Sequence, residues 1–306
     1  MITKDKVTEI FCIIDEFEKN LRIELSKNLH LPSPCNDGVR HRNRKGRMSA
    51  SEIMTILICY HFGTYRTFKE YYLNCIRGQL RSYFPHAVSY NRFVELMPRV
   101  FYELMLFMCL YSFGRCSGIT FVDSTMIPVC HNLRRHFNKV FAGLAKSGKG
   151  TMGWCHGFKL HFICNDSGEI ITFCMTAANV DDRDERVWSV FTKHLYGKVF
   201  ADRGYIKQEL FESLFDRGIH LVHGLKANMK NKLMPMWDKI MLRKRYVIEC
   251  INHLLKDKAN LVHSRHRSVH NFIMNVCSAL AAYCFFENKP EPLPVHMENT
   301  QQLELF

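Results

Sequence analysis

Hydrophobic and polar residues follow two different patterns along the chain, and the change falls near residue 116. In the first part the apolar residues recur at helical spacing, at Val7, Ile10, Ile14, Phe17 and Leu21. After Gly118, short runs rich in β-branched residues are typical of strands. The sequence therefore predicts an all-helical region over 1–115, an α/β region over 116–287 and a polar, proline-containing tail over 288–306.

The N-terminal region is predicted to consist of several helices joined by turns. Ser49 and Glu52 form a capping-box pattern, which predicts a helix that starts there and covers 53–62. The other helices expected in this region cover 7–29, 67–77, 79–83 and 89–113. Helices with intervening turns and scattered basic residues resemble a helix-turn-helix arrangement, so we expect 1–115 to bind DNA.

The α/β region is predicted to form a sheet whose strands are partly antiparallel. The predicted strands cover 119–129, 158–164, 169–175, 198–202 and 220–223. The predicted helices cover 184–195, 208–217, 242–255 and 271–286. A turn at 165–168 joins two of the strands as a hairpin. This order indicates an α/β layer fold with a mixed sheet.

Composition narrows the class of protein. With 306 residues and a hydrophobic fraction of 47%, the chain has enough apolar residues for a folded core. The formal net charge of +13 indicates a polyanionic partner, either nucleic acid or an anionic membrane surface, and charge alone does not separate these two. The apolar stretches are too short or interrupted to span a bilayer, so we expect a cytoplasmic protein without a membrane partner.

Two basic stretches are candidate DNA contacts. The candidate residues are Arg40, Arg42, Arg44, Lys45 and Arg47 in the first stretch, and Lys226, Lys230, Lys232, Arg243 and Lys244 in the second. The first stretch could instead be a solvated loop. Because phosphate contacts position a protein on DNA without reading its sequence, we expect these residues to hold the DNA backbone.

Three acidic residues lie in settings that are typical of a metal site. Asp123 and Asp202 end short apolar runs, and Glu249 lies in a predicted helix. A carboxylate at the end of a buried strand is costly unless a cation or a basic partner compensates it. Mg²⁺ takes one or two carboxylates and leaves its other positions to water and phosphate. Taken singly, each residue could also be a cap, an ion-pair partner or a solvated side chain.

Four segments resemble the DDE transposases of bacterial insertion sequences, specifically the IS982 family, near the IS4 and IS5 groups. Three of them are TFVDST at 120–125, GFKLH at 157–161 and ADRGY at 201–205. The fourth contains Arg245, Glu249 four residues later and Lys256 seven residues after that. Leu242 stands where the IS4-type signature has a tyrosine. The interval from Asp202 to Glu249 has no room for the large inserted β-domain of some relatives.

The resemblance implies an RNase H-like core and a metal-dependent reaction on DNA. Asp123, Asp202 and Glu249 would be the metal ligands, with two Mg²⁺ ions and Mn²⁺ as a substitute. Arg245 and Lys256 would complete the catalytic set by neutralising phosphate. The partners implied are double-stranded DNA, both transposon ends and target, and a second copy of the chain in a homodimer on the DNA. We expect such a protein to be associated with the bacterial nucleoid.

Two other functions are compatible with the same residues. One is a catalytically silent or domesticated protein that binds terminal repeats. The other is an RNase H-like nuclease that cuts DNA but does not join it. The complete set of three carboxylates disfavours the first, and the long basic N-terminal region disfavours the second.

Overall fold

A computed structural model describes residues 2–28, 46–63, 65–150, 153–225, 233–262 and 266–290. Helices α1 to α5 span Lys4–Asn28, Ala50–Tyr60, Phe68–Glu70, Tyr90–Leu96 and Phe101–Phe107. Strands β1 to β6 span Ile119–Cys130, Lys146–Gly150, Gly153–Asn165, Ile170–Ala177, Gly197–Ala201 and Ile219–His223. Helices α6 to α10 span Glu185–Phe191, Gln208–Phe215, Met236–Lys244, Tyr246–His253 and Val269–Cys284.

The N-terminal region is helical as predicted, but two of the predicted helices differ from the structure. The capping box is present, because the Ser49 hydroxyl accepts from the Glu52 amide and the Glu52 carboxylate accepts from the Ser49 amide at 2.7 Å. The single helix expected over 89–113 is wrong, since a 3-10 turn interrupts it at Pro98, a residue without a backbone donor. The helix expected over 79–83 is also wrong. A π-helical stretch, Tyr71–Gln79, ends there and is followed by turns.

The sheet is mixed and lies between helices. Its strand order is β2-β3-β1-β5-β6, and β4 pairs with the second half of β3. β1 runs antiparallel to β3 and parallel to β5, and β5 runs parallel to β6. β2 was not predicted because its residues, Lys-Ser-Gly-Lys-Gly, show no apolar alternation. The mixed α/β architecture expected from the sequence is confirmed.

Two hydrophobic clusters cover the two faces of the sheet. The larger cluster contains Phe121, Phe162 and Phe200 together with buried residues of α1, α2, α5, α9 and α10. The smaller one contains Val122 and Val199 together with residues of α6 and α7. Side chains at successive positions along β1 and β5 therefore pack alternately into the two clusters. The larger cluster runs without a break from the N-terminal helices into the sheet.

The helix predicted over 242–255 is two helices that meet at Arg245, which ends α8 and begins α9. α8 begins earlier than expected and is fixed to the sheet by its buried Asp238, whose carboxylate pairs with the Lys198 ammonium of β5 at 2.7 Å. A π-helical turn, Leu254–Lys258, follows α9. None of the described helices is long and apolar enough to cross a membrane.

Candidate active site

Asp123 and Asp202 lie at the same level on neighbouring parallel strands. The paired residues of β1 and β5 end at Phe121 and Phe200, and each aspartate follows its phenylalanine by two positions. Since side chains alternate between the faces of a strand, both carboxylates lie on the side of the larger cluster. Asp202 immediately follows β5, is exposed and caps the short turn Arg203–Tyr205 by accepting from the Arg203 amide.

The junction between α8 and α9 brings Arg245 and Glu249 to this point. The Arg245 guanidinium donates from Nη2 to the Glu249 carboxylate at 2.7 Å, and its Nη1 lies 3.9 Å from Asp123 Oδ1. Arg245 is only 15% exposed, whereas Glu249 is 59% exposed. Arg245 is thus not part of a simple surface ion pair. Its Nη1 is buried and has no hydrogen-bond partner within the described residues.

The environment of Asp123 favours its protonated form. Burial raises the pKa of the Asp123 carboxyl to about 6, against the opposing effects of the Arg245 guanidinium and the Ser124 backbone amide. The nearby carboxylates of Glu249 and Asp202 raise this pKa further. A carboxyl group next to two other carboxylates is a site that a cation would stabilise in its charged form.

Removing the Asp123 charge should change how stability depends on pH. The pKa of Asp123 in the folded, metal-free protein is above its usual 3.8, so the folded state binds a proton more tightly than the unfolded state. The stability that the protonated Asp123 carboxyl contributes is fully present below pH 4 and is lost as pH rises through about 6. Compared with Asp123→Asn, the wild-type protein should lose on the order of 2–3 kcal/mol between pH 4 and 7.5.

Urea unfolding with EDTA at several pH values measures this difference. Asp216→Asn, at an exposed aspartate after α7, is the matched control and should follow the wild-type curve. Parallel curves for wild type and Asp123→Asn would contradict the buried environment of Asp123.

Lys256 lies beyond the carboxylates in a different part of the helix. Two α-helical turns were expected between Glu249 and Lys256, and Lys256 lies in the π-helical turn, which has more residues per turn. Lys256 is close enough to the Cys155 thiol of β3 to oppose the effect of burial on the pKa of that thiol.

Two neighbours of Asp123 were not predicted from the sequence. Asn252 of α9 donates from Nδ2 to Asp123 Oδ2 at 2.9 Å, one turn of helix after Glu249. The Tyr205 hydroxyl is buried, and its pKa is raised well above the usual value by burial and by the carboxylates of Asp182 and Asp123. Tyr205 belongs to the ADRGY segment, so a signal existed for it. For Asn252 the only signal in the sequence was its position three residues after Glu249.

A second polar group lies on the other face of β3. Lys159 pairs with Asp182 at 3.1 Å and donates to the Val180 carbonyl at 2.8 Å. His161 lies 3.4 Å from the same carboxylate, but burial lowers the pKa of its imidazole to about 4 and leaves it neutral. These contacts fix the loop before α6 to β3. The charged residues of the GFKLH segment are therefore held by structural contacts.

Most of the predicted DNA contacts lie outside the described residues, namely Arg40, Arg42, Arg44, Lys45, Lys226, Lys230 and Lys232. Arg47 is exposed and lines a cavity of about 290 Å³ together with Arg77 and Arg81. Arg243 is exposed on α8, and Lys244 is half-buried beside it.

The three carboxylates fit a magnesium site in the kind of ligand they offer. Oxygen donors within β1, at the end of β5 and on one helix match what Mg²⁺ prefers. Within the described ranges, however, no three His, Cys, Asp or Glu side chains stand close enough together to hold a metal ion. Instead, the Arg245 guanidinium supplies the positive charge between Asp123 and Glu249. Glu249 would have to leave Arg245 to become a ligand.

A comparison with known protein families gives a match over the part of the chain that contains these residues. Residues 113–269, just over half of the chain, match the family described as Transposase DDE domain. The chain therefore belongs to this family of transposases, whose activity is of the polynucleotidyl-transferase type. The matched range contains β1 to β6, Asp123 within β1, Asp202 after β5 and the α8–α9 junction. None of the curated proteins matches the chain.

Proposed function

We propose that this chain is a DNA transposase that binds the terminal inverted repeats of an insertion sequence of the IS982 family and catalyses metal-dependent hydrolysis and strand transfer. The observation that carries the proposal is the buried Asp123 carboxyl, which lies 3.9 Å from the Arg245 guanidinium that binds Glu249, with Asp202 near enough to raise the Asp123 pKa. Residues far apart in the chain converge there on an otherwise costly buried carboxyl group. An RNase H-like core is compatible with the mixed sheet and its flanking helices.

Asp123, Asp202 and Glu249 are the proposed metal ligands. Bound Mg²⁺ ions would stabilise the developing charge on the attacking and leaving oxygens of a phosphodiester. Asn252 orients the Asp123 carboxylate through its amide. Arg245, whose Nη1 has no hydrogen-bond partner within the described residues, would turn from Asp123 to donate to a phosphate oxygen of the substrate, and Lys256 would contribute a more distant positive charge.

The reaction proposed has two displacements. Hydrolysis breaks a phosphodiester bond and leaves a 3′-OH at the transposon end. That 3′-OH then attacks a phosphodiester of the target DNA, and the target's own 3′ oxygen leaves. The helical region 1–115 would bind DNA, 116–287 would carry catalysis and 288–306 would be a tail. The active assembly would be a homodimer on double-stranded DNA, associated with the nucleoid.

The experiment that tests this function uses the full chain and a duplex that carries the element's own ends. With Mg²⁺, the proposal expects nicked products with a 3′-OH and joined products with target DNA. Binding without cleavage would indicate a silent repeat-binding protein instead. Cleavage without joining would indicate a nuclease.

Removing the metal should stop the reaction without releasing the DNA. Cleavage is expected with Mg²⁺ or Mn²⁺ and is expected to stop with EDTA, whereas Ca²⁺ should support binding without turnover. Mg²⁺ should also raise the melting temperature of the wild-type protein more than that of Asp123→Asn, because the ion binds the charged carboxylate. Cleavage that persists in excess EDTA would contradict a metal-dependent mechanism.

A further inference from the structure

The chain between Asp123 and the hairpin turn is unusually basic. Residues 124–165 contain no Asp or Glu, the longest such stretch in the sequence. We call residues 131–150 and 153–157 the arm, which follows β1 and includes β2 and the start of β3. Its five cations are exposed, and they are Arg134, Arg135, Lys139, Lys146 and Lys149. Within the part of the chain that the structure describes, none of the five forms an ion pair.

The arm also exposes large apolar side chains. Leu133 is 81% exposed, Phe137 82% and Trp154 63%. Burying apolar side chains is favourable, so such a group on a surface marks a site of contact with a partner. Because cations surround the group, the partner should combine apolar surface with negative charge.

The arm is a fixed structure attached to the core. Phe141 is buried and packs against Phe158 and Phe272, with ring centroids 5.7 and 5.2 Å away. Asn132 donates to the Trp154 carbonyl, which joins the start of the arm to β3. Packing where the arm joins the core therefore holds the exposed rings outward.

The basic and apolar side chains of the arm are neighbours in space. Lys149 of β2 pairs directly with Trp154 of β3, so their side chains stand next to each other. Burial lowers the pKa of the His156 imidazole, and the nearby Arg135, His136 and Lys146 lower it further. The part of the arm formed by β2 and β3 thus places a cation beside a large apolar ring.

We propose that the arm is a DNA-binding surface, on which the five cations contact phosphates and the rings of Phe137 and Trp154 lie against bases. This rests on the proposed function for its biological role, but DNA binding by the arm can be measured without catalysis. DNA combines negatively charged phosphates with apolar bases that can stack on rings. These two components match the exposed cations and the exposed rings of the arm. A second copy of the chain fits poorly, because symmetric pairing would bring like charges together.

The arm lies in line with the candidate active site. β1 runs from Asp123 to Cys130 with an irregularity between Pro128 and Cys130, and seven residues of strand cover at most about 23 Å. At about 3.4 Å per base pair, this equals about seven base pairs of DNA. The arm would therefore contact DNA about seven base pairs from the bond that is cut.

Salt dependence tests the cations. The probe is a fluorescein-labelled duplex of arbitrary sequence, with Ca²⁺ in place of Mg²⁺ so that no cleavage occurs. The triple variant Arg134→Gln, Arg135→Gln, Lys149→Gln should reduce the slope of log Kd against log salt by about 0.9 for each phosphate that is no longer neutralised. The control variant Lys193→Gln, Lys207→Gln, Arg217→Gln, at exposed positions outside the arm, the helical region 1–115 and the candidate active site, has the same net charge and should keep the wild-type slope. Equal slopes for both variants would overturn the proposal.

The rings are tested separately from the charges. Trp154→Ala should weaken binding at every salt concentration by about 5- to 150-fold without changing the slope, and Trp154→Phe should retain most of the affinity. DNA should quench tryptophan fluorescence in wild type and much less in Trp154→Phe. An arm that instead pairs copies of the chain would give a DNA-free dimer in sedimentation that Trp154→Ala dissociates.

These measurements separate the arm from the proposed function. If arm variants lose DNA affinity while the wild type never cleaves, the arm is supported and the transposase proposal fails. If the wild type cleaves and joins while arm variants bind and cleave normally, the arm proposal fails alone.

Discussion

Asp123→Asn, Asp202→Asn and Glu249→Gln should each reduce DNA cleavage by about 1000-fold or more while DNA binding persists. Each substitution removes one negative oxygen ligand and keeps the shape of the side chain. A bound metal ion contributes several kcal/mol to stabilisation of the transition state. A loss of about 4 kcal/mol corresponds to roughly a 1000-fold lower rate.

Cleavage rates and melting temperatures should be measured on the same preparations. Asp123→Asn removes a carboxyl whose pKa burial raises to about 6, so this variant should be more stable than wild type at neutral pH. Its loss of activity could not then be due to unfolding. Asp216→Asn and Glu185→Gln, at exposed positions outside the site, are the matched controls. Any one of the three variants that cleaves normally removes its residue from the proposed site.

Arg245→Ala should impair cleavage or joining by about 10- to 150-fold without unfolding the protein. A charge-assisted hydrogen bond to substrate phosphate contributes about 1.5–3 kcal/mol, which corresponds to that range. The prediction depends on the buried Nη1, which has no hydrogen-bond partner within the described residues. If Arg245 only paired with Glu249, its removal would change the free energy of unfolding by about 0.3–0.5 kcal/mol and leave cleavage intact.

A second measurement detects the same interaction without substrate. The Arg245 guanidinium lowers the pKa of Asp123, so Arg245→Ala should raise that pKa further in the metal-free protein. The pH range over which stability falls should therefore move upward. Arg217→Ala, at an exposed position after α7 and outside the candidate site, is the matched control for both measurements. Normal cleavage by Arg245→Ala would exclude a role in binding phosphate.

The sequence determined the local elements and the residues with unusual settings. The capping box at Ser49 and Glu52, the hairpin turn at 165–168 and the alternation along β3 act over a few residues, so pattern alone predicted them. Asp123 and Asp202 stood out because each ends an apolar run, where a carboxylate is costly. The mixed α/β fold followed from the order of these elements.

Tertiary structure decided which of these residues meet. The approach of Arg245 to Asp123 and the hydrogen bond from Asn252 join positions more than 120 residues apart, through the packing of α8 and α9 on the sheet. The break of the helix at Arg245 and the π-helical turn at Lys256 arise from this packing, and helical periodicity does not encode them. β2 has no apolar pattern, so only its pairing with β3 places Lys149 beside Trp154. Sequence patterns describe interactions between near neighbours, whereas strand register and helix packing depend on the whole core.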